Sequence, residues 1–279
     1  MNTPPATPPL TVVIATCQSE RTIGQCLESV RSQQYPQERI RIILADGGST
    51  DRTKEIARRF GAEIISIPEE RQNAEYNKGV GVRAATGDVL LMLDHDNVLP
   101  HPWWLKRMVQ PLLDHPQVVG VETLRYRYDP TLSLLDRYCA LFGASDPVVY
   151  ALGKCDRLPW FGSDAISFGA VTDAGPYILV KIAPDRIPTL GANGFLVRRD
   201  LLMREARVDE DHFFHIDVNV DLIRRGHDVY AFTKDEILHL TAYKNLGSFL
   251  ARRRLFLEQY FVGATKAHRR YQTYQGRRD

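Results

Sequence analysis

Two aspartates one residue apart, Asp94 and Asp96, directly follow an apolar run at residues 89–93. Carboxylates so close repel each other unless a cation lies beside them. Their hard oxygen atoms suit Mg²⁺ or Mn²⁺, which would keep coordination positions open for phosphate oxygens. The alternative is a polar turn in which Asp96 and Asn97 cap the next helix, and a bare Asp-x-Asp pattern is usually such a turn. The position after a buried strand favours a metal site.

A further acidic residue, Asp46, follows an apolar run at residues 40–45 and precedes Gly47 and Gly48. Glycine lets the backbone pass close to a ligand, and a carboxylate accepts hydrogen bonds from a base N–H or a ribose hydroxyl. The pattern therefore suits a nucleoside pocket. The alternative is an Asp-Gly turn followed by a helix cap at Ser49. No GxGxxG follows the first strand and no GxxxxGK[ST] occurs, which argues against a dinucleotide fingerprint and a P-loop.

The elements that must hold these residues alternate regularly in the first half of the chain. The predicted strands are residues 10–15, 40–45, 63–67 and 88–93, and the predicted helices lie near residues 23–30, 51–60 and 73–85. Buried strands separated by helices imply an α/β fold, Rossmann-like, with a mostly parallel sheet and right-handed crossovers. Because such sheets bind ligands beyond the carboxyl ends of their strands, we expect the polar clusters at 16–20, 46–51 and 94–97 to converge.

The pattern is less regular after Asp96. We predict helices at residues 102–113 and 218–225, strands at 118–123, 194–198 and 229–232, and a last amphipathic helix over 246–261. The stretch from 145 to 188 is rich in glycine, proline and aromatic residues and has no clear period. We interpret it as loops and short elements that form a substrate-facing wall.

Composition and charge narrow the classes of protein. The chain has 279 residues, of which 44% are hydrophobic and 25% charged, and a net charge of +2. These are ordinary globular values and give no argument for nucleic-acid binding. Four cysteines without CxxC spacing indicate reduced thiols, and residues 1–9 lack the features of a signal peptide. Since no apolar run approaches the roughly 20 residues of a membrane span, we expect a cytoplasmic protein.

Four short motifs occur in a defined order in the first half of the chain. They are Thr-Val-Val-Ile-Ala-Thr at 11–16, Asp-Gly-Gly-Ser-Thr-Asp at 46–51, Asn-Lys-Gly at 77–79 before Thr-Gly-Asp at 86–88, and Leu-Asp-His-Asp-Asn at 93–97. Each is weak alone, but their order and spacing together are specific. With them, residues 10–113 resemble the nucleotide-binding half of family 2 glycosyltransferases, which have the GT-A fold. The resemblance implies an inverting, metal-dependent enzyme that uses a nucleotide-diphosphate sugar, with UDP favoured by its frequency in the family.

The resemblance also implies roles for individual residues. It assigns the nucleoside pocket to Thr16, Glu20 and Asp46. It assigns contacts with the nucleobase or the phosphates to Arg71, Asn77 or Lys78. It assigns ribose, diphosphate and metal to Asp94 and Asp96. The family usually has an aromatic residue where this chain has Cys17 and an acid where it has Ser19, so the identity of the nucleotide stays open.

The second half resembles the acceptor side of the family less closely. Residues 191–199 look like the strand beside the donor sugar, which assigns Asn193 to substrate binding. The family then has an acidic pair whose aspartate is the general base, where this chain has Phe-His-Ile-Asp at 214–217. An ungapped match puts His215 at that position, and a two-residue slip puts Asp217 there. We prefer Asp217, because a carboxylate at a helix start can aim at a hydroxyl and stay ionised; His215 can also accept a proton near neutral pH, and Asp217 as an ordinary helix cap is the structural alternative.

Two features near the C-terminus have more than one interpretation. His239 lies among apolar residues and is either a core histidine or, as the resemblance implies, a further metal ligand beside Asp96. The helix predicted at 246–261 carries the adjacent arginines 252–254 next to apolar positions. It covers the sheet as a surface helix, directs arginines to the leaving diphosphate, or contacts anionic lipid on the inner face of a membrane. We place the surface helix first.

We therefore predict a disordered tail (1–9), one structural domain (10–245) and a basic helical segment (246–279). The domain consists of a nucleotide-sugar-binding half (10–123) and an acceptor-binding and catalytic half (124–245). The predicted reaction is sugar transfer with inversion to a hydroxyl of a glycan or lipid-linked saccharide, with Mn²⁺ or Mg²⁺. One alternative is a sugar-phosphate nucleotidyltransferase, although residues 16–20 lack the glycine- and arginine-rich phosphate loop of that class. The other is a non-catalytic nucleotide-sugar-binding module, which the altered acidic pair would suit.

Overall fold

The computed structural model describes residues 7–162, 166–241, 243, 245–262 and 268–271, so most of the predicted N-terminal tail lies outside the described residues. The strands are β1 (Leu10–Thr16), β2 (Ile40–Asp46), β3 (Glu63–Ser66), β4 (Val89–Asp94), β5 (Asn97–Val98), β6 (Gly120–Tyr126), β7 (Gly169–Asp173), β8 (Tyr177–Ile182), β9 (Phe195–Arg198) and β10 (Val229–His239). The helices are α1 (Ile23–Arg31), α2 (Thr53–Arg59), α3 (Ala74–Ala84), α4 (Trp104–Asp114), α5 (Leu134–Phe142), α6 (Pro147–Ala151), α7 (Arg199–Glu205), α8 (His215–Arg224) and α9 (Leu246–Leu257). Among these described helices, none combines the length and the apolar composition needed to cross a membrane.

The strands form a mixed sheet in the order β3-β2-β1-β4-β9-β6-β10-β8-β7. The first four of these strands are parallel, and β9 inserts antiparallel between β4 and β6. β6 and β10 are parallel again, and β8 and β7 complete the sheet as antiparallel neighbours. The predicted α/β fold with helices flanking the sheet is confirmed.

The register of the strands brings the predicted polar clusters to one edge of the sheet. Thr16 at the end of β1 pairs with Asp46 of β2, and Ala15 pairs with Asp94 of β4. The short strand β5 pairs antiparallel with the end of β10, so that Asn97 lies opposite His239. The ends of four strands therefore meet where an open α/β sheet binds its ligands.

Apolar side chains of the central strands alternate between the two faces of the sheet, as strand geometry requires. Val12 and Leu91 belong to the core under α1 and α4, whereas Val13 and Met92 belong to the core under α3 and α8. Each side chain of this size that is fully buried contributes about 1.5–3 kcal/mol by leaving water. Because a slip of one residue would exchange the two faces, this double burial fixes the strand ends in place.

The second half contains more regular structure than we predicted. The predicted helices and strands at 102–113, 118–123, 194–198 and 229–232 correspond to α4, β6, β9 and β10, with shifted ends. The stretch from 145 to 188, however, contains the hairpin of β7 and β8 as well as α6. Most of β7 is exposed, so this edge strand has no apolar alternation by which the sequence could reveal it.

Gly81 lets α3 approach β1 closely. A Cβ atom at Gly81 would lie 2.5 Å from Val13 Cγ1, whereas one at Gly24 of α1 would meet Ile56 Cγ2 at 3.7 Å. We expect Gly81→Ala to destabilise the fold by about 1 kcal/mol or more through overpacking. We expect the matched variant Gly24→Ala to be neutral or to stabilise by up to about 1 kcal/mol, since alanine suits a helix interior better than glycine. Urea unfolding measures both, and equal stability of the two variants would contradict this packing.

Candidate functional site

A cavity of about 690 Å³ opens at the edge where the strand ends meet, a size that suits a small-molecule site. Its wall comes from the ends of β1, β4 and β10, the first turns of α3 and α8, the loop before β9, and α9. The residues predicted from the sequence that line it are Thr16, Asn77, Lys78, Asp94, Asp96, Asn193, His215 and His239. The predicted residues outside this wall are Glu20, Asp46, Arg71 and Asp217.

Lys78 reaches from α3 to the turn after β4. The side chain of Asn73 begins α3 by accepting hydrogen bonds from the backbone N–H groups of Glu75 and Tyr76, at 3.1 and 2.8 Å. One turn later, Lys78 Nζ lies 2.8 Å from Asp94 Oδ1 and 3.8 Å from Glu75 Oε1. Because the Lys78 side chain is only 7% exposed, these contacts are screened less than surface ion pairs. Lys78 therefore orients Asp94 at the cavity wall.

Asp96 and His239 face each other across the same turn. Asp96 Oδ2 lies 3.5 Å from His239 Nε2, and both side chains are mostly buried. Burial raises the pKa of the Asp96 carboxyl, but His239 and His95 outweigh it and hold that pKa below its ordinary value. Asp96 Oδ1 is buried and has no hydrogen-bond partner among the described residues. Such an atom is costly unless a ligand, an ion or water satisfies it.

This donor set can be compared with the metal that the family resemblance implies. Within the described part of the chain, no three His, Cys, Asp or Glu side chains are grouped to hold a metal. The protein would therefore supply Asp96 and His239, and phosphate oxygens or water would have to complete the coordination shell, as is usual for Mg²⁺ with nucleotides. Asp96 and His239 suit a site in which the protein and a ligand share one cation, rather than a structural site in which the protein supplies every ligand of the metal.

Asn97 closes the turn between the two aspartates and β5. Its Oδ1 accepts a hydrogen bond from the backbone N–H of Asp94 at 2.9 Å, and its Nδ2 donates to Asn193 Oδ1 at 3.0 Å. Asn193 has a φ of +54°, a conformation that asparagine tolerates better than most residues, and donates to the Tyr126 hydroxyl at 2.7 Å. The alternative in which Asn97 caps the next helix is wrong, because Trp103 occupies that position.

Asp46 lies beneath the cavity instead of in its wall, which corrects the predicted nucleoside contact. Its fully buried carboxylate accepts hydrogen bonds from the Thr16 hydroxyl at 3.1 Å and from the backbone N–H of Ser49 at 2.9 Å. It therefore holds the turn after β2, as the alternative of an Asp-Gly turn requires, but Ser49 is not the helix cap, since Arg52 occupies that position before α2. Asn77 lines the cavity and has a buried Oδ1 without a partner among the described residues. A Cβ at Gly47 would lie 2.8 Å from Asn77 Nδ2, so the glycine permits this approach.

Glu20 and Arg71 are exposed at the surface, outside the cavity wall. Glu20 accepts a hydrogen bond from the backbone N–H of Arg52 at 3.2 Å and lies 3.5 Å from its guanidinium. Arg71 lies 2.5 Å from Asp211 and covers the Tyr76 ring. The structure thus places neither side chain in the cavity wall, and their contacts with substrate stay predictions.

Asp217 is fully buried and is held by the C-terminal segment. Its carboxylate accepts hydrogen bonds from Arg269 Nε at 3.1 Å and from the backbone N–H groups of Arg270 and Tyr271, at 3.0 and 2.9 Å. With three donors and no exposed surface, this carboxylate has no access to a proton in the cavity. Our preference for Asp217 as the general base is therefore corrected. It is not a helix cap either, since Phe214 occupies that position.

His215, the alternative base, lines the cavity at the start of α8. Its Nδ1 lies 2.8 and 2.9 Å from the two carboxylate oxygens of Glu75, and its backbone N–H donates to Glu75 at 3.0 Å. Burial raises the pKa of the Glu75 carboxyl, but His215 and Lys78 outweigh burial and lower that pKa to about 2. The sequence analysis missed Glu75, and the available signal was its place on α3 three residues before Lys78.

The helix α9 forms the wall opposite the strand ends. Arg252, Arg253, Leu255 and Phe256 line the cavity, and the side chains of Leu250 and Leu255 are 55% and 48% exposed. The helix thus does not bury an apolar stripe against the sheet, which was the interpretation we placed first. Two of its arginines line the cavity, and their contact with the leaving diphosphate, the second interpretation, stays a prediction. Contact with anionic lipid stays a prediction.

Replacing Asp217 tests its structural role. We expect Asp217→Ala to destabilise the protein by about 1–3 kcal/mol, because it leaves buried donors of residues 269–271 without their acceptor. Thermal unfolding measures the loss, and limited trypsin digestion should cleave earlier at Arg269 and Arg270. The control is Asp200→Ala, whose side chain is 79% exposed. Wild-type stability and digestion of Asp217→Ala would show that this carboxylate does not anchor the segment.

The sequence is similar to those of known glycosyltransferases. Residues 11–142 match the model of glycosyl transferase family 2. Glycosyltransferase AglE of Haloferax volcanii is 35% identical over 109 residues, which cover 38% of this chain and 36% of that protein. A dolichyl N-acetyl-α-D-glucosaminyl phosphate 3-β-D-2,3-diacetamido-2,3-dideoxy-β-D-glucuronosyltransferase of Methanococcus voltae is 29% identical over 121 residues, 40% of this chain and 37% of that protein. The chain thus spans little more than a third of the length of these curated relatives.

Solved structures show the same fold. The mannosyltransferase PcManGT of Pyrobaculum calidifontis, in complex with GDP-Man and Mn²⁺, has a TM-score of 0.55 at 18% identity and covers 92% of this chain and 64% of its own. The glucosyl-3-phosphoglycerate synthase of Mycobacterium tuberculosis, in complex with Mn²⁺ and UDP-glucose, has a TM-score of 0.55 at 19% identity, covering 90% and 77%. The fold is therefore of the GT-A type. Residues 11–142 are thus similar to the family 2 glycosyltransferases.

Proposed function

We propose that the protein transfers a sugar from a nucleotide-diphosphate sugar to a hydroxyl group of a glycan or lipid-linked saccharide. The observation that carries this proposal is one cavity in which Asp96 faces His239 and Lys78 holds Asp94. The buried, unpartnered Asp96 Oδ1 indicates that the wall is made for a bound group. The match of residues 11–142 to the model of glycosyl transferase family 2 supports the same reaction class.

We propose separate positions in the cavity for the nucleoside and the diphosphate. Thr16, Cys17 and Asn77 lie on the β1 side, where the unpartnered Asn77 Oδ1 suits an N–H group of a nucleoside base. Cys17 offers no aromatic face for stacking. UDP remains the proposed nucleotide from the family, and GDP is the alternative that the mannosyltransferase complex suggests. We place the diphosphate between this side and the Asp94–Asp96 turn.

Charges of both signs surround the proposed diphosphate position. Asp96 and His239 would hold Mn²⁺ or Mg²⁺, which when bound neutralises charge on the departing nucleotide diphosphate. Lys78 fixes Asp94 at the wall, and Arg252 and Arg253 face this region from α9. Arginine N–H groups match phosphate oxygens in geometry as well as charge. These residues would stabilise the negative charge that grows on the leaving diphosphate as its bond to the sugar breaks.

The acceptor side of the cavity carries His215, Thr189 and Asp156. A hydroxyl oxygen placed there could attack the anomeric carbon from the side opposite the diphosphate. Inversion of the anomeric configuration, which the family resemblance implies, is therefore our proposed outcome.

Replacing Asp96 tests the donor site. In the wild type, we expect Mn²⁺ with UDP-glucose or GDP-mannose to raise the unfolding temperature, because a ligand at 100 times its Kd stabilises the folded state by about 2.7 kcal/mol. Asp96→Ala should lose this shift and all release of nucleoside diphosphate. The control is Asp88→Ala, an exposed residue directly before β4, the strand that precedes the Asp94–Asp96 turn. A full metal-dependent shift in Asp96→Ala would contradict the proposed donor site.

Replacing an arginine of α9 tests whether this helix contacts the diphosphate. Arg252→Ala should weaken UDP or GDP binding by about 10- to 150-fold through loss of a charge-assisted hydrogen bond of about 1.5–3 kcal/mol. The matched control is Arg254→Ala on the same helix, whose side chain is 81% exposed and pairs with Glu258. Titration calorimetry with Mn²⁺ measures both affinities. Equal affinities would remove α9 from the donor site.

The same samples separate the two other classes of protein. A sugar-phosphate nucleotidyltransferase would release pyrophosphate from a nucleoside triphosphate and a sugar phosphate. A binding module would show the thermal shift without hydrolysis of the nucleotide sugar or transfer to any acceptor. Slow metal-dependent release of UDP or GDP from the offered nucleotide sugar is the result that we expect.

A further inference from the structure

Glu75 and His215 form a buried pair in the cavity wall. The two residues lie 140 positions apart in the chain, yet the imidazole Nδ1 is within 2.9 Å of both Glu75 oxygens. The Glu75 carboxylate also accepts the His215 backbone N–H at 3.0 Å. One carboxylate thus fixes both the start of α8 and the ring that this helix presents to the cavity.

The ionisation of Glu75 determines which ring nitrogen carries a proton. The pKa of Glu75 is lowered to about 2, so at neutral pH the carboxylate only accepts hydrogen bonds. The contact at Nδ1 is therefore an N–H donating to Glu75. In the neutral imidazole, Nε2 is then the nitrogen with a lone pair.

The surroundings hold the ring in this orientation. The Phe214 ring stacks on the His215 ring with centroids 4.8 Å apart. The His215 carbonyl accepts a hydrogen bond from Asn219 Nδ2 at 2.9 Å, and a Cβ at Gly191 would lie 2.3 Å from that carbonyl oxygen. Lys78 Nζ lies 3.8 Å from Glu75 Oε1, and Arg269 and Asp156 are further charged groups near the pair. His215 is thus prearranged, as a group that must accept a proton in a defined direction should be.

We propose that His215 is the general base of the transfer and that Glu75 is its positioning residue. This inference rests on the proposed function. As the acceptor oxygen forms its bond to the anomeric carbon, its proton moves to His215 Nε2, and the bond from that carbon to the diphosphate oxygen breaks with its electron pair on the diphosphate. His215 becomes an imidazolium whose Nδ1–H remains bonded to Glu75. The imidazolium then returns its proton to solvent.

The pair takes the role that the family resemblance assigns to an acidic pair at the start of this helix. The carboxylate is still present, but it comes from α3 and acts through the imidazole. Asp217, the nearest acid on α8, is occupied by the C-terminal segment. The chain therefore needs no carboxylate of its own on α8 to remove the acceptor proton.

Three variants test the pair: Glu75→Gln, His215→Gln and the double variant. The probe is UDP-glucose or GDP-mannose with Mn²⁺ and water as the acceptor, followed by release of UDP or GDP. Glu75→Gln should lower kcat on the order of 10²-fold, as loss of a general base does, because the glutamine amide can donate to Nδ1 and favour the wrong tautomer. The KM for the donor should be unchanged. The control is Glu63→Gln, an exposed residue on the edge strand β3 that pairs with Arg41 of β2.

The double variant separates positioning from a merely structural role. If the two residues act as one unit, the double variant is no slower than His215→Gln alone. Multiplied losses, or a higher donor KM with an unchanged kcat, would overturn the inference. If the wild type releases nucleotide and His215→Gln does so at the wild-type rate, His215 is not the base.

The tautomer of the His215 imidazole can be measured directly on the wild type. This measurement needs neither a folded variant nor turnover of UDP-glucose or GDP-mannose. Nitrogen-15 NMR distinguishes the two imidazole tautomers, and the His215 signal among the eight histidines is identified by its absence in His215→Gln or, failing that, by backbone assignment. We expect the proton on Nδ1. A proton on Nε2 in the neutral ring would overturn the role of Glu75, whereas absent turnover with the expected tautomer would contradict the proposed function alone.

Discussion

A carboxylate buried beside a histidine at the end of the central strand is the constraint on which the site depends. Asp96 would be costly to bury alone, and His239 is brought to it because β10 runs on to pair with β5 after the Asp-x-Asp turn. The same strand ends fix the cavity. Moving any of these strands by one residue would exchange the two apolar faces of the sheet and separate the pair.

A line of alternating charges connects the two sides of the cavity. It runs from Asp94 through Lys78 and Glu75 to His215, with the lysine 2.8 and 3.8 Å from its two carboxylates. Because Asn73 starts α3 at a defined residue, Lys78 and Glu75 lie on one face of that helix. A single helix thus orients an acid at the proposed donor side and a base at the proposed acceptor side.

The first half of the fold could be predicted because each apolar strand is followed at once by its own polar cluster. Local order is enough to place Asp94, Asp96 and Asn77 at one edge of the sheet. Contacts between distant segments are not visible in this way. Asp46 and Asp217 resemble ligand-binding acids by position, but the turn at Ser49 and the segment at 268–271 occupy them. The pairing of Glu75 with His215 likewise depends on how α3 and α8 pack, which one sequence does not show.

The most direct measurement of the shared cation site is anomalous scattering from a crystal grown with Mn²⁺ and UDP. We expect a single strong manganese peak in the cavity, in coordination contact with Asp96, His239 and the two phosphates of the nucleotide. A nucleotide bound in the cavity with manganese elsewhere, or with Asp96 and His239 still facing only each other, would contradict the donor site.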